Sequence, residues 1–367
     1  MKYPRCYIEL TPREGGEAVA VNWQDVLSLT VTDTMFSGAD SFELTLSNTK
    51  KLSDYLRKEM DVKIYLGYVK NQKAWSKAEL THIFTGKVDG VRPSFGGRDV
   101  VGLVGRDYAA LFLDNEFNLQ FAERTASQIA QLLAERRGLT AIVTPTTVIV
   151  EKDMYKDKTE WQILQTLADR EGFTCYVSKD KELYFGQRKE PVKDEDGNEK
   201  AAYTFYYKKG KSSNVLGVTF DDSMLDIINK VTVRHFFGRK KQLVQASATN
   251  DDLIKKYGVK ERIVYDSKAL TMELAQKTAE ALLSKLDNAV VTFSGLETAG
   301  IATIGAENIV NIEGCGRFDG SYYLTEVKHS FSMSGYSVSV SGTNQQPDAA
   351  AQYRENLYES EGLGYGR

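Results

Sequence analysis

Two long stretches of this chain alternate apolar and polar side chains with the period of a pleated strand. A helix-bearing stretch lies between them. In the first, Cys6–Leu10, Val26–Asp33, Ser41–Leu46, Lys63–Tyr68, His82–Gly86 and Asp99–Gly105 carry the alternation. Gly96-Gly97 marks a tight turn before the last of these, and Leu52 to Lys58 reads as a short helix. Six strands with so little helix predict a closed or nearly closed barrel, because closure removes the exposed edges that invite aggregation. The second stretch begins at Val215. Its predicted strands are Val218–Phe220, Lys230–Arg234, Ile309–Ile312, Tyr322–Val327 and Tyr336–Val340, with a turn at Phe318–Ser321. A helix over Leu270–Leu286 interrupts them, with Leu270, Leu274, Ala281 and Leu282 among its apolar positions. Twenty Tyr and sixteen Phe against six Pro suit such a chain, since aromatic rings fit a half-buried pleated surface.

Between the two, Thr159 to Gly186 reads as one helix feeding one hairpin. Thr159 and Gln162 have capping-box spacing. Trp161, Leu164, Leu167 and Ala168 then share a helical face, and Gly172 is the expected left-handed cap. Phe173, Cys175 and Val177 alternate, Ser178–Lys181 turns, and Leu183 and Phe185 return. An earlier segment has the same form. Thr125-Ala126-Ser127-Gln128 opens a helix with Ile129, Leu132 and Leu133 on one face, Gly138 ends it, and Ala141–Val143 follows. A compact α+β middle of paired helix–strand units is the expectation.

The two strand-rich stretches also echo each other near their ends. Val88, Gly97 and Gly105 are spaced nine and eight apart, and Val327, Gly335 and Gly342 eight and seven. Arg188 to Lys200 is a charged stretch containing Pro and Gly with nothing to bury, and reads as a surface loop, with Tyr203–Tyr207 a strand or platform beyond it.

The totals narrow the function classes. A chain of 367 residues suggests two to four domains. A net charge of −3 argues against a dedicated nucleic-acid binder, which carries a basic stripe. Cys6, Cys175 and Cys315 are far apart and in no metal-like spacing, as expected of small buried residues in a reducing compartment. No run approaches the roughly 20 apolar residues of a membrane span, and the N-terminus lacks a signal-type apolar segment.

No catalytic, cofactor-binding or metal-binding residue is assigned. His82, His235 and His329 stand alone, and His329 reads as a structural hydrogen-bonder on a strand. Gly314-Cys315-Gly316 is followed by a strand instead of the helix N-terminus a phosphate loop needs, so it reads as a hairpin. Cys175 lies within an apolar strand pattern. Trp161, Leu164, Leu167 and Gly172 are assigned to the fold.

The Leu-x-x-Leu-Ala-x-x-x-Gly-Phe run at Leu164–Phe173, with its hairpin, resembles the late control D proteins of contractile phage tails. These are baseplate hubs, related to the hub half of type VI secretion spikes. Three further features are similar to that family: Asn229–Val233, the helix near 270–286, and the ending Asp319–Leu324, Val327–Phe331, Gly335-Tyr336. The resemblance spans roughly residues 5–345. It implies two similar tube-type β-barrel domains (1–112 and 215–345) flanking an α+β middle (113–190), with a charged linker at 191–214 and a tail at 346–367.

It also implies a homotrimer in which each chain presents two equivalent units, so that three chains match a six-fold tail tube. The tube or a tube-initiator protein would sit above, a separate trimeric spike below, and other baseplate proteins around it. Such a baseplate assembles in the bacterial cytoplasm, has no sequence-specific nucleic-acid partner, inserts into no membrane, and is expected to have a neutral or weakly acidic lumen to which passing DNA or cargo does not stick. The alternative is a cell-wall-active tail protein that binds or cleaves peptidoglycan through its middle region.

Overall fold

The structure is a computed structural model. It describes residues 2–344 except 14, 16, 36–37, 148, 172, 188–200, 209, 211–212, 223–227, 238–241, 266–270, 287–290 and 307. The expected Gly172 cap, the charged loop and the tail therefore lie outside the described residues, as does the predicted start of the late helix at Leu270.

The first stretch forms β1 (Tyr3–Thr11), β2 (Val19–Val21), β3 (Val26–Thr34), β4 (Ser41–Ser47), β5 (Asp61–Val69), β6 (Thr81–Ser94) and β7 (Val100–Asp107). The alternation predicted each long strand. Every second residue is buried, as in Phe42, Leu44 and Leu46 of β4. The helix expected at 52–58 is only a 3-10 turn, Leu52–Asp54.

The middle holds α1 (Ala110–Leu113), β8 (Glu116–Arg124), α2 (Ala126–Arg136), β9 (Thr140–Val143), β10 (Val150–Thr159), α3 (Glu160–Glu171), β11 (Thr174–Val177) and β12 (Glu182–Gly186). Both helices open on reciprocal capping boxes. Thr125 N–H donates to Gln128 Oε1 at 3.0 Å and Gln128 N–H back to Thr125 Oγ1 at 3.3 Å. Thr159 and Gln162 repeat this at 2.9 and 3.2 Å. α2 ends as its glycine predicts: Gly138 takes φ +72°, and the Leu139 N–H donates to the Ala134 carbonyl at 3.0 Å. The predicted apolar faces meet in one core containing Ile129, Leu133, Trp161, Leu164, Leu167 and Phe185. Ribbon β8–β10 was not predicted; its exposed pattern leaves Phe121 as its one buried β8 residue.

Beyond the charged loop come β13 (Tyr203–Tyr206) and β14 (Gly217–Asp222). Next are β15 (Lys230–Phe237), β16 (Gln242–Thr249), α4 (Asp251–Tyr257), β17 (Glu261–Tyr265) and α5 (Met272–Leu286). These last five make a small unit of their own, in which Ala275, Ala279 and Leu283 of α5 pack on Val231 and Val233. The chain then returns as β18 (Val291–Ala299), β19 (Ile309–Glu313), β20 (Gly320–Ser332) and β21 (Gly335–Thr343).

The two strand-rich stretches share one 13-stranded sheet. Its path is β14-β18-β21-β20-β3-β4-β7-β6-β5-β1-β2, with β19 branching from β20 and β13 from β19. The closed barrel expected from the sequence is corrected here. Among the described residues the ladder does not return on itself, and β14 and β2 remain its ends. A single hydrophobic core runs under both stretches, from Ile8 and Phe42 to Phe293 and Val340. The middle docks on this sheet through Gly38, whose lack of a side chain admits the Trp161 indole at 2.8 Å from an ideal Cβ position. Tyr108 OH and Lys181 Nζ also converge on the Asp61 carboxylate at 2.6 and 3.2 Å.

Candidate functional site

The three histidines lie on three different strands. His82 on β6 stacks on Tyr65 at 4.8 Å and holds Thr85 Oγ1 at 2.8 Å. His235 lies on β15. His329 on β20 is buried, with Nδ1 2.8 Å from the Tyr336 hydroxyl. Burial lowers its pKa to about 4, and a hydrogen bond to the Ile304 backbone opposes this only in part. The ring is therefore neutral at pH 7, and the Tyr336 hydroxyl donates to it. Gly314–Gly316 joins β19 to β20 through the short turn Gly316–Phe318. Cys175 lies in β11, and burial pushes its thiol up to about 12, the opposite of a nucleophile's requirement. Among the described residues no cluster of three or more His, Cys, Asp or Glu is placed to hold a metal ion.

What the fold brings together is a repeat and a seam. The connected order β3-β4-β7-β6-β5-β1 recurs as β14-β18-β21-β20-β19-β13. Taken along the chain, β1, β3, β4, β5, β6 and β7 correspond one for one to β13, β14, β18, β19, β20 and β21. The registers fix the correspondence residue by residue. Phe42 of β4 lies opposite Gly105 of β7, and Phe293 of β18 opposite Gly342 of β21. In each pair an ideal Cβ on the glycine would come within 2.6 Å of the phenyl ring, so only glycine fits beneath it. A bulge follows in each neighbouring strand, between Val88 and Gly90 and between Leu324 and Glu326. The echo read in the sequence thus holds at Gly105 and Gly342. The counterpart of Val88, however, is Leu324, and that of Val327 is Val91.

The seam joins the copies. β20 is long enough to serve two neighbours along one edge: Gly320–Tyr323 pairs with β19, and Glu326–Ser332 pairs antiparallel with β3 of the first copy. Side chains secure the junction. The Asp33 carboxylate accepts the Ala306 N–H at 2.8 Å, and the carbonyl of the bulge residue Thr325 accepts the Met35 N–H at 3.1 Å. Tyr336 packs its ring 5.8 Å from Tyr68, whose hydroxyl donates to the Tyr336 carbonyl at 3.4 Å. The geometry is that of one repeat docked head to tail on another.

Sequence reasoning found the glycines of the repeat and the strands of this seam but missed the pairing of β3 with β20. The two strands are almost three hundred positions apart, and no local pattern records such a partner. β18 was also missed, because Ser294-Gly295 breaks its alternation where the register shifts.

Several solved structures share this fold. The 43 kDa tail protein of prophage MuSo2 from Shewanella oneidensis has a TM-score of 0.68 at 16% identity, over 94% of this chain and 98% of its own. A tail protein from Neisseria meningitidis MC58 gives 0.68 at 14%, over 94% and 97%. The E. coli c3393 protein, a component of the type VI secretion system similar to T4 bacteriophage tail proteins, gives 0.50 at 12%, over 87% and 73%. No curated protein matches the chain. The fold is that of phage tail and type VI proteins, as the late control D resemblance implied. The YQBQ-like profile matches residues 32–341, and the chain accordingly belongs to the YQBQ-like family.

Proposed function

We propose that this protein is a structural component of a contractile phage tail or a phage-derived injection particle, acting as its baseplate hub. The observation that carries the reading is the doubled six-strand order within one chain, joined by the β3–β20 seam. A chain with two such units, assembled three times, offers six near-equivalent faces to a six-fold tube above and three identical chains to a three-fold spike below. The two tube-type domains, read from sequence as 1–112 and 215–345, are in this proposal the two strand copies, the second of which begins earlier, at β13 (Tyr203–Tyr206) within the stretch read as linker, and both are completed as tube walls only in the trimer. The mechanism is geometric and needs no reacting group. The likeness to a prophage tail protein, a second tail protein and a component of the type VI secretion system supports it.

Light scattering on the purified full chain, with and without a separately expressed spike protein, tests this. A trimer, or a complex of three chains with three spike chains, is expected. A monomer that ignores the spike and clears peptidoglycan in a zymogram would replace the hub by the cell-wall reading.

A further inference from the structure

The repeat leaves one position of the pattern unfilled. In the second copy, residues 326–332 of β20 are covered by β3. In the first copy the corresponding residues, Gly90–Ser94 of β6, pair among the described residues with β7 alone, on one edge. The counterpart of β3, meanwhile, is β14, which pairs with β18 on one edge and stands at the end of the sheet. One chain therefore carries one filled seam and both halves of a second. Within one chain the two halves do not meet, since β18, β21, β20, β3, β4 and β7 stand between β14 and β6 along the sheet. A strand edge of this kind is a template for another chain unless it is covered.

Resting on the trimeric reading above, we propose that β14 of one chain pairs antiparallel with residues 90–94 of β6 in a second copy of this chain. Three such contacts alternate with three internal seams and close the ring. The register follows from the filled seam. There His329 faces Val31 and Lys328 faces Thr32. The counterparts of His329 and Lys328 are Pro93 and Arg92, and those of Val31 and Thr32 are Phe220 and Asp221, as the pairings of β6 with β7 and of β14 with β18 fix. Arg92 of one chain thus lies opposite Asp221 of the next, and Val91 opposite Asp222.

The charges agree with this placement. Arg92, Asp221 and Asp222 are all exposed, and neither Arg92 nor Asp221 has an ion-pair partner among the described residues. Directly opposed opposite charges favour a strand pair, and like charges oppose it. Pro93 has no N–H, which removes one donor from this edge and makes it a poor partner for indiscriminate strand addition. The same position in the filled seam holds His329.

The test is a disulfide between chains. Residues directly opposed on antiparallel strands have Cα atoms about 4.5–5.5 Å apart, within the span of a disulfide. The full chain carrying both Arg92→Cys and Asp221→Cys should give covalent dimers and trimers on oxidation, and neither single variant should. In parallel, Arg92→Glu and Asp221→Lys should each raise the concentration for half-assembly by about tenfold or more, and the two together should restore it. A trimer by light scattering that neither cross-links nor responds to the charge swap would overturn this pairing and leave the hub reading standing. A monomer at every concentration, with spike present or absent, would overturn both.

Discussion

The two copies of the six-strand order agree most closely where a ring lies on a glycine, and differ in their connections and in some of the titratable groups they carry. Phe42 over Gly105 and Phe293 over Gly342 are the same device, and each phenyl has an aromatic neighbour at 5.3 Å. That neighbour comes from different positions. In the first copy it is Phe84, seated over Gly86. In the second it is Tyr322, which occupies the position of Gly86 itself. The volume is filled once in each, by whichever residue reaches it. The copies also differ in their first strand, since β1 runs antiparallel to β5 while β13 runs parallel to β19. The short link between β3 and β4 is replaced in the second copy by the whole β15–α5 unit. Sheet order and ring-on-glycine packing define the repeat; the connections are free to grow.

The charge difference has a consequence for pH. At the mouth of β4 and β7 the first copy places Asp40 and Asp107, with the Asp107 N–H on the Asp40 carbonyl at 2.9 Å. The second copy makes the equivalent bond between Asn344 and Val291 at 3.0 Å, without acids. Burial pushes Asp107 up from an ordinary 3.8 to about 7, and Asp33 and Asp40 move the same way for the same reason. These carboxyls bind protons more tightly folded than unfolded. Their contribution to stability is full below about pH 4 and is lost as pH rises toward 7. His329 of the second copy has the opposite slope. Its folded pKa of about 4 lies below the ordinary 6.5, so the unfolded chain takes up the proton first and stability falls as pH drops through that interval.

The largest expected loss comes from removing either ring. Phe42→Ala and Phe293→Ala should each cost about 3–5 kcal/mol in denaturant unfolding, because the glycine beneath offers nothing to fill the gap. Unequal losses would break the equivalence of the copies. Leu164→Ala, in the middle core and outside the repeat, should cost about 2–5 kcal/mol, and an unchanged melting curve would contradict its complete burial. Gly105→Ala and Gly342→Ala should each cost about 1–3 kcal/mol or more, since the new methyl must displace a ring or a strand.

Smallest are the pH effects. Asp107→Asn, which gives the first copy the residue of the second, should flatten the loss of stability between pH 4 and 7 while keeping an acceptor for the Ala109 N–H, now bound at 3.0 Å. His329→Gln should instead flatten the loss below pH 6.5. Melting temperatures of both variants across pH 4–8 check the two signs, and a shared direction would refute the assignment.

Much of this was legible in the sequence because it is local. Alternation located the long strands of the first copy, the Thr-x-x-Gln signals located the starts of α2 and α3, and Gly138 located the end of α2. Gly105 and Gly342 betrayed the repeat. β8 carries an apolar alternation of its own, Phe117, Leu119 and Phe121, that sequence reasoning passed over, while the period of β10 is broken by a register shift between Tyr155 and Lys158. The open sheet was read as a barrel because strand count says nothing of which edges meet. The seam lay beyond reach for the same reason: β3 and β20 find each other only when both copies have folded.

End-on electron-microscopy averages of the assembled protein test the central claim most directly. The trimeric hub predicts a closed ring of three chains with six near-equal lobes, alternating between the two strand copies. A ring of three single lobes, or particles that remain single chains at high concentration, would contradict it.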